Sequence, residues 1–489
     1  MSERRNPAVV IIGAGMTGLL LAIKLRERGI SDVTVLEKAD SIGGTWRDNT
    51  YPGIACDVPS HAYTYSFEPN PDWSMQFPPG AEIFRYFERI FHKYGIDRCT
   101  RFGQTVTRCA WDEQRQKWLV DTAAGHCFSA DLLFSATGLL HVPVCPDIPG
   151  LGSFGGHAFH SARWDHDVPL DGRRIGVIGT GSSACQIVPE LVARKGSQVT
   201  VFQRTAQWIV KMENRRFSDL EKQRFRRQPW RMKLIRKLSE LVYAQGTASL
   251  TSSSWFDRVT HRLMSWNARR FLNGSVRDPV LRAKLTPDYA MGCKRVVISE
   301  NFYDAIQQPN AQLVTEGIER IEPGGVRTRD GTLHALDVLV LATGFDPTAY
   351  VRQMAFIGRG GLTINQAWER KIAAYRSMFI PGFPNFVLML GPNSPIGNQS
   401  VIEISEYQTA YVLQLVRRWQ DGLLPVIEAR PEALARWRAM IKDRMRHTVW
   451  VSGCRSWYLD AEGDALAWPD TWKRWVRGMK TPELRDFVC

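Results

Sequence analysis

The sequence has no long apolar run. Hydrophobic residues make up 44% of its 489 residues, yet no stretch approaches the roughly 20 consecutive apolar residues that a membrane-spanning helix requires. Residues 1–7 lead directly into a short apolar strand, and residues 1–15 contain no apolar segment of signal-peptide length. We therefore expect a globular, cytoplasmic protein, and a chain of this length is expected to form two or three domains.

Cysteine is sparse and shows no pairing pattern. The nine cysteines are odd in number and scattered, and no two of them form a C-x-x-C motif. This distribution predicts no disulfide framework, no zinc site and no dithiol redox centre. We therefore expect reduced thiols and no bound metal.

Acidic residues are outnumbered by basic ones, 49 to 63, and part of the net charge of +14 is local. Residues 215–237 carry ten lysines and arginines against two acidic residues, with apolar side chains between them. The pattern predicts a basic amphipathic helix, or a helix pair broken at Pro229. It is compatible with a solvated face and with a peripheral membrane contact. No nucleic-acid-binding motif accompanies the charge, so nucleic acid is not an expected partner.

A glycine fingerprint follows the first apolar strand. Residues 8–12 precede Gly13, Gly15 and Gly18, which have the spacing G-x-G-x-x-G and open a helical pattern. Such glycines permit a tight turn, close approach of the backbone to a pyrophosphate and close packing of the helix on the strand. The next apolar strand ends in Glu37, whose carboxylate can accept hydrogen bonds from both hydroxyls of a ribose. These features predict a site for a dinucleotide with a free ribose.

A second fingerprint has the opposite charge at the corresponding place. Gly179, Gly181 and Ala184 again lie between an apolar strand and a helical pattern. The strand that follows ends in Arg204 and Thr205, with no acid. An arginine can bind a 2′-phosphate through a bidentate hydrogen bond, whereas a carboxylate would repel it. The second site is therefore predicted to bind NADPH.

Two long motifs stand beside these fingerprints. The first has the pattern F-x-G-x-x-x-H-x-x-x-W-D and comprises Phe154, Gly156, His160, Trp164 and Asp165. The second lies within residues 43–57 and comprises Gly43, Gly44, Trp46, Tyr51, Pro52, Gly53 and Asp57. Together with the two fingerprints they resemble the signatures of the type I (class B) flavin-dependent Baeyer–Villiger monooxygenases. The resemblance extends over nearly the whole chain.

The resemblance implies both the cofactors and the reaction. It places FAD in the first site and NADPH in the second, within an α/β fold of two nested Rossmann-like domains and a helical insert. The implied reaction uses NADPH and O2 to insert one oxygen next to a ketone carbonyl, through a C4a-peroxyflavin, and it yields an ester or lactone. The aromatic and methionine content of the insert favours a small hydrophobic ketone as substrate.

The resemblance also assigns roles to particular residues. Arg295 is expected to stabilise the peroxyanion and Asp57 to hold the guanidinium, while Lys294 joins Arg204 and Thr205 at the 2′-phosphate. His160 is expected to act as a hinge between the two nucleotide-binding parts rather than as an acid or base. The residues expected to bind the cofactors are Gly13, Gly15, Gly18, Glu37, Gly44, Thr45, Trp46, Asp57, Gly179, Gly181, Ser182, Ser183, Arg204, Thr205, Lys294 and Trp457.

The order of the motifs predicts how the domains are nested. The runs at 131–138 and 337–345 both read as strands ending in Ala-Thr-Gly, which return the chain toward a nucleotide-binding sheet. The expected domain ranges are 1–165 and 336–489 for the FAD domain, 166–211 and 293–335 for the NADPH domain, and 212–292 for a helical insert that caps the substrate site.

Two alternatives share this fold. One is a flavin monooxygenase that oxygenates nitrogen or sulfur, a reaction that does not require Arg295 and Asp57. The other is a non-catalytic flavoprotein that senses NADPH, which an intact active-site pair disfavours. Disulfide reductases also have nested dinucleotide folds, but their chemistry requires the C-x-x-C motif that this chain lacks.

Overall fold

The structure is a computed structural model that describes residues 5–397, 399–454, 456–460 and 462–488. Two parallel five-stranded sheets form its centre, and each is built around one of the two glycine fingerprints. A group of helices is inserted into the second unit. The chain then completes the second unit and afterwards returns to the first sheet. The α/β fold of two nested dinucleotide-binding units with a helical insert is confirmed.

The elements fall into three stretches along the chain. The first contains β1 (Val9–Ile12), α1 (Met16–Glu27), β2 (Val33–Leu36), α2 (Thr45–Asp48), α3 (Gly80–Lys93), β3 (Thr100–Arg101), β4 (Val106–Asp112), β5 (Lys117–Thr122), β6 (Cys127–Ala130) and β7 (Leu132–Ser135). The second contains β8 (His157–His160), β9 (Arg174–Ile178), α4 (Ser182–Val192), β10 (Gln198–Phe202), β11 (Ile209–Val210), α5 (Asp219–Arg227), α6 (Trp230–Thr251), α7 (Trp255–Ser275), α8 (Pro279–Leu285), β12 (Val297–Ile298), α9 (Phe302–Ala305), β13 (Ala311–Val314), β14 (Ile318–Glu322), β15 (Gly325–Thr328), β16 (Leu333–Ala335) and β17 (Val338–Leu341). The third contains β18 (Ala355–Ile357), α10 (Ile364–Ala367), β19 (Phe386–Leu388), α11 (Val401–Gln420), α12 (Pro431–Met445) and α13 (Trp472–Gly478).

The two parallel sheets repeat one arrangement. The first has the strand order β19-β7-β1-β2-β3, and the second has the order β13-β10-β9-β17-β8. In each, the strand before the fingerprint is central, with the following strand on one side and the Ala-Thr-Gly strand on the other. All four residues of β1 are buried, as expected of a strand covered on both faces. Smaller sheets flank these two: β18-β4-β5-β6 and β14-β15-β16.

The sheets differ from the expected domain boundaries at two strands. The expected ranges placed residues 157–160 and 338–341 in the FAD domain, but β8 and β17 both lie in the second sheet, where Leu341 pairs with His160. The two Ala-Thr-Gly strands have similar apolar sequences, and pairing partners are not encoded in one strand alone. The chain re-enters the first sheet only at β19, which pairs with β7.

The first glycine of each fingerprint is required by a close backbone approach. Gly13 and Gly179 have φ of +104° and +117°. A Cβ atom on Gly13 would lie 2.7 Å from the Ala136 carbonyl oxygen, and one on Gly179 would lie 2.4 Å from that of Ala342. In both sheets the turn therefore passes directly over the end of the Ala-Thr-Gly strand, and only glycine fits there.

The helical insert is joined to the second unit by a short strand pair. β11 and β12 are parallel, with Ile209 opposite Val297, so the two ends of the insert lie side by side. Between them lie α5, α6, α7 and α8, and the predicted break falls at Pro229, between α5 and α6. In the part of the chain that the structure describes, no helix is both long enough and apolar enough to span a bilayer.

Candidate functional site

The two connections between the sheets run side by side. The Val144 amide donates to the Gly344 carbonyl at 2.9 Å, and the Thr343 hydroxyl donates to the Val144 carbonyl at 2.5 Å. Since one connection leaves the first sheet after β7 and the other leaves the second after β17, these contacts form the junction between the two units.

His160 lies at this junction with both ring nitrogens engaged. Its Nε2 is 3.0 Å from the Gly344 carbonyl oxygen, and its Nδ1 accepts a hydrogen bond from the Ala162 amide at 3.1 Å. This arrangement requires a neutral ring that donates from Nε2. Burial lowers the pKa of His160, which also favours the neutral form. Among the described residues no hydrogen bond or ring contact joins His160 to Arg295, and the role of His160 as a hinge stays a prediction.

The remaining residues of the first motif fix the start of the second unit. Trp164 is buried and packs edge-to-face on Phe159 with ring centroids 5.1 Å apart. Asp165 accepts a hydrogen bond from the Asp167 amide at 3.0 Å. His166 then contacts the Thr50 hydroxyl at 2.7 Å, which joins the first motif to the second. Phe154 packs against the core beneath β14 and β15, and Gly156 immediately precedes β8.

The second motif spans from the first unit to the second. Trp46, in α2, donates from its indole nitrogen to the Tyr63 hydroxyl at 3.1 Å. Further along, Tyr51 donates to the Gln186 side chain at 3.0 Å, and Gln186 in turn donates to the Ala55 carbonyl at 3.0 Å. Sequence reasoning missed Gln186, which lies in α4 two residues after Ala184 and belongs to no motif.

The motif ends at Asp57, which forms an ion pair with Arg295. The carboxylate raises the pKa of Arg295 above its usual value, so the guanidinium is a permanent positive charge. Tyr243, in α6, donates to the Asp57 backbone carbonyl at 2.8 Å, and burial followed by the Asp57 charge raises the pKa of Tyr243. The structure thus brings Asp57 and Arg295 together, as the resemblance implied, and adds Tyr243 from the insert, which carried no sequence signal.

A second group of cations lies at the end of β10. Lys294 lies near Arg204, and its pKa is lowered by burial and then by the Arg204 charge. Its ammonium nitrogen is 4.7 Å from the centroid of the Tyr289 ring. Neither cation forms an ion pair within the described ranges. The Asp288 carboxylate acts on the Lys294 pKa in the opposite direction, as a weaker effect than burial or Arg204. Two like charges held near each other without an ion-pair partner form a site suited to a phosphate.

The corresponding place in the first unit carries the opposite charge. The buried carboxylate of Glu37, at the end of β2, accepts hydrogen bonds from the Ala14 amide at 2.9 Å and the Ala39 amide at 3.1 Å. It also pairs with Arg47 at 3.0 Å. Because Ala14 lies inside the glycine turn, Glu37 is placed beside the predicted dinucleotide. A carboxylate has about four lone-pair sites, so acceptor capacity remains for a ribose hydroxyl.

The expectation of reduced thiols is wrong for one pair, because Cys293 and Cys454 form a disulfide. They are 161 residues apart in sequence, so no short motif could mark them. Cys293 directly precedes Lys294 and Arg295, while Cys454 lies three residues before Trp457. The Trp457 and Tyr458 rings are 4.3 Å apart. The bond therefore fastens the C-terminal segment that contains Trp457 to the segment that carries both cations.

These features define a class of protein: an enzyme with two dinucleotide folds and a fixed cation, Arg295, that pairs with Asp57 of the first unit. Residues 10–235 match the pyridine nucleotide-disulphide oxidoreductase family. An uncharacterized monooxygenase of Mycobacterium tuberculosis is 45% identical over 95% of this chain and 92% of that protein. A Baeyer-Villiger monooxygenase of Streptomyces coelicolor is 40% identical over 98% of this chain and 92% of that protein. The chain belongs to the Baeyer-Villiger monooxygenases, which are flavin-dependent enzymes.

Solved structures show the same architecture over the same length. OTEMO in complex with FAD and NADP has a TM-score of 0.88 at 26% identity, covering 97% of this chain and 98% of that one. Cyclohexanone monooxygenase with bound epsilon-caprolactone has a TM-score of 0.83 at 28% identity, covering 97% of each chain. The two nested folds are therefore those of this family.

Proposed function

We propose that the protein is a cytoplasmic enzyme that uses NADPH and O2 to insert one oxygen atom next to the carbonyl of a small hydrophobic ketone. The product is an ester or, from a cyclic ketone, a lactone. The observation that carries this proposal is the ion pair between Asp57 and Arg295, which holds a permanent cation where the two dinucleotide units meet. The lactone bound by the cyclohexanone monooxygenase neighbour is consistent with it.

The residues present fit the two cofactors. FAD would lie on the first glycine turn, where a Cβ on Gly13 would meet the Ala136 carbonyl, with Glu37 at its ribose and Gly44, Thr45 and Trp46 beside it. The residues that would hold NADPH are Gly179, Gly181, Ser182 and Ser183 at the turn, and Arg204, Thr205 and Lys294 at the 2′-phosphate. When bound, the flavin takes hydride from NADPH and activates molecular oxygen.

Arg295 would stabilise the negative charge that develops on the reacting oxygen. A guanidinium suits this role because it does not lose its proton at working pH. Asp57 fixes its orientation, and the hydrogen bond from Tyr243 fixes the backbone of Asp57. A preorganised charge of this kind stabilises the transition state without a cost for reorganisation during the reaction.

The junction would transmit movement of the NADPH-binding second unit to the FAD-binding first unit. His160 contacts the returning connection at Gly344, and Trp164 packs on Phe159, the residue before His160. Trp457 would lie beside NADPH on the segment that Cys454 fastens to Lys294 and Arg295.

The test compares Arg295→Ala with the wild type. Purified enzyme is mixed with NADPH, air-saturated buffer and a panel of linear, cyclic and aromatic ketones, and esters are measured by gas chromatography. Loss of one preorganised donor lowers turnover by about 10²–10³-fold, while NADPH-driven bleaching of the flavin continues. Arg115→Ala, in the exposed turn between β4 and β5, is the matched control. Ester formation by Arg295→Ala at the wild-type rate would contradict the proposal.

The same variant separates the ketone reaction from its nearest alternative. Oxygenation of an amine or sulfide does not require the fixed positive charge. If Arg295→Ala loses ester formation but still converts methyl phenyl sulfide to its sulfoxide, Arg295 acts in the ketone reaction specifically. If the wild type forms sulfoxide but no ester from any ketone, the heteroatom reaction is the function. If it forms neither and the reduced flavin returns directly to the oxidised form with release of hydrogen peroxide, an NADPH-sensing flavoprotein is favoured.

A further inference from the structure

Helix α6 carries a stripe of exposed apolar side chains. They lie at residues 230, 234, 238, 241 and 242, and each of the last two is three or four residues after residue 238, so all five lie on one broad face of the helix. Each is between 48% and 68% exposed, which is unusual for large apolar residues on a folded surface. They are Trp230, Leu234, Leu238, Leu241 and Val242.

The contacts on the opposite side of α6 show that this stripe faces away from the protein. Arg236 pairs with Glu406 of α11 at 2.7 Å, and Tyr243 reaches the Asp57 carbonyl. Met232 and Leu250 are buried. The inner face of α6 therefore already has its partners within the chain.

Helix α7 repeats the arrangement. Trp255, Phe256, Leu263 and Trp266 are between 57% and 73% exposed. On the other side of the helix, His261 contacts the Met291 carbonyl at 2.9 Å and Leu272 is buried. The two helices contact each other through the hydrogen bond from Gln245 to Asp257. We call the outward residues of both helices the α6–α7 outer surface.

The insert is also where the charge of the protein is concentrated. Residues 215–285 carry 17 lysines and arginines against five acidic residues, so this segment accounts for 12 of the 14 net positive charges. Arg231 and Arg270 lie over the rings of the exposed Trp230 and Trp266, with the guanidinium carbon 5.1 and 5.3 Å from the ring centroids. Within the described ranges, no ion pair engages the exposed cations Lys233, Arg258, Arg262, Arg269 and Arg270.

We propose that the α6–α7 outer surface binds the surface of a bilayer that contains anionic lipids. Apolar side chains on an amphipathic helix enter the boundary between headgroups and acyl chains, and tryptophan is enriched at that depth. Unpaired lysines and arginines beside them attract anionic headgroups. A second copy of the chain would bring the same positive surface against itself, and a nucleic acid would leave the leucine stripe without an apolar partner. Charge and apolar character together are matched by an anionic membrane.

The test is co-sedimentation of the full-length protein with lipid vesicles. One set is pure phosphatidylcholine, and the other contains about 30 mol% phosphatidylglycerol, comparable to a strongly anionic leaflet. We expect binding to the second set only, and weaker binding when NaCl is raised from about 0.1 to about 0.5 M, because salt screens the attraction. The double variant Leu234→Glu/Leu238→Glu should lower the partition coefficient at least about tenfold, since each substitution removes apolar burial and adds repulsion.

A matched variant controls for the substitution itself. Leu333→Glu/Leu423→Glu replaces two leucines that are 42% and 71% exposed but lie outside the insert. It should bind vesicles like the wild type, whereas equal loss in both double variants would overturn the proposal. Absence of binding to anionic vesicles would also overturn it. So would a sedimentation-equilibrium dimer that only Leu234→Glu/Leu238→Glu disrupts, or retention of a duplex oligonucleotide in place of vesicles. These measurements need no substrate, so they are independent of the proposed reaction.

Discussion

The two parallel sheets are built alike from the glycine turn to the end of the strand that follows it. The residues just beyond that strand, however, carry opposite charges in the two sheets. In both, a glycine turn passes over the end of an Ala-Thr-Gly strand and opens a helix. At the end of β2 the chain places Glu37, a buried acid with three hydrogen-bonding partners. At the end of β10 it places Arg204, which has no ion-pair partner among the described residues and lies near a second cation. Under the proposed function, the shared turn would bind a pyrophosphate in each unit, whereas one later residue would select the ribose.

The largest effect is expected for a substitution in the glycine turn that both sheets share. Gly13→Ala should abolish flavin binding, because the new Cβ would lie 2.7 Å from the Ala136 oxygen in a backbone with φ of +104°. The flavin absorbance of the purified protein at about 450 nm measures this. Gly152→Ala, between β7 and β8 and outside both fingerprints, is the control, since its Cβ would meet no atom within 4 Å. A yellow Gly13→Ala protein with full flavin content would show that the turn does not hold FAD.

The next largest effect concerns the residue that distinguishes the second fold. Arg204→Ala should weaken NADPH relative to NADH by about 10–150-fold, the equivalent of one charged hydrogen bond of about 1.5–3 kcal/mol. The ratio of KM values for the two nucleotides measures the effect. Arg194→Ala, beyond the far end of α4, should leave the ratio unchanged. Equal weakening of both nucleotides would remove Arg204 from the 2′-phosphate site.

The smallest effect is expected for a substitution in α11, a helix that belongs to the first unit. Glu403, in the first turn of α11, is buried, and burial followed by the nearby Glu240 charge raises its pKa to about 7. The folded protein therefore binds this proton more tightly than the unfolded chain, and the resulting stability is present at low pH and is lost as pH rises through 7. The cost of ionising Glu403 at pH 8 is at most about 3 kcal/mol.

Glu403→Gln should therefore raise the melting temperature at about pH 8 but not at about pH 5, where the wild-type side chain is already neutral. Glu88→Gln, on the exposed face of α3, should show no such dependence. A constant difference between Glu403→Gln and the wild type across this range would contradict the assignment of the raised pKa to Glu403.

Much of the fold was predictable because its signals are local. The turns at Gly13 and Gly179 and the helix break at Pro229 each depend on a few adjacent residues, and the structure has all three. The pairing of Asp57 with Arg295 came from the resemblance. The membership of β8 and β17 in the second sheet was not predictable, because a buried strand of four residues does not encode its neighbour.

The contacts that the sequence did not reveal are those made by ordinary residues at long range. Gln186 is an unremarkable helix residue until Tyr51 lies opposite it. Tyr243 gains its place only when α6 folds back over Asp57. Such contacts depend on the path of the whole chain, and the residue types alone carry no sign of them.

The disulfide between Cys293 and Cys454 changes the covalent topology of the molecule. It closes the chain between these residues into a ring, and that ring contains β17 of the second sheet and β19 of the first. A single cleavage anywhere between residues 294 and 453 would open the ring without producing two separate polypeptides. The two nucleotide-binding units would then stay covalently joined until a reductant breaks the bond.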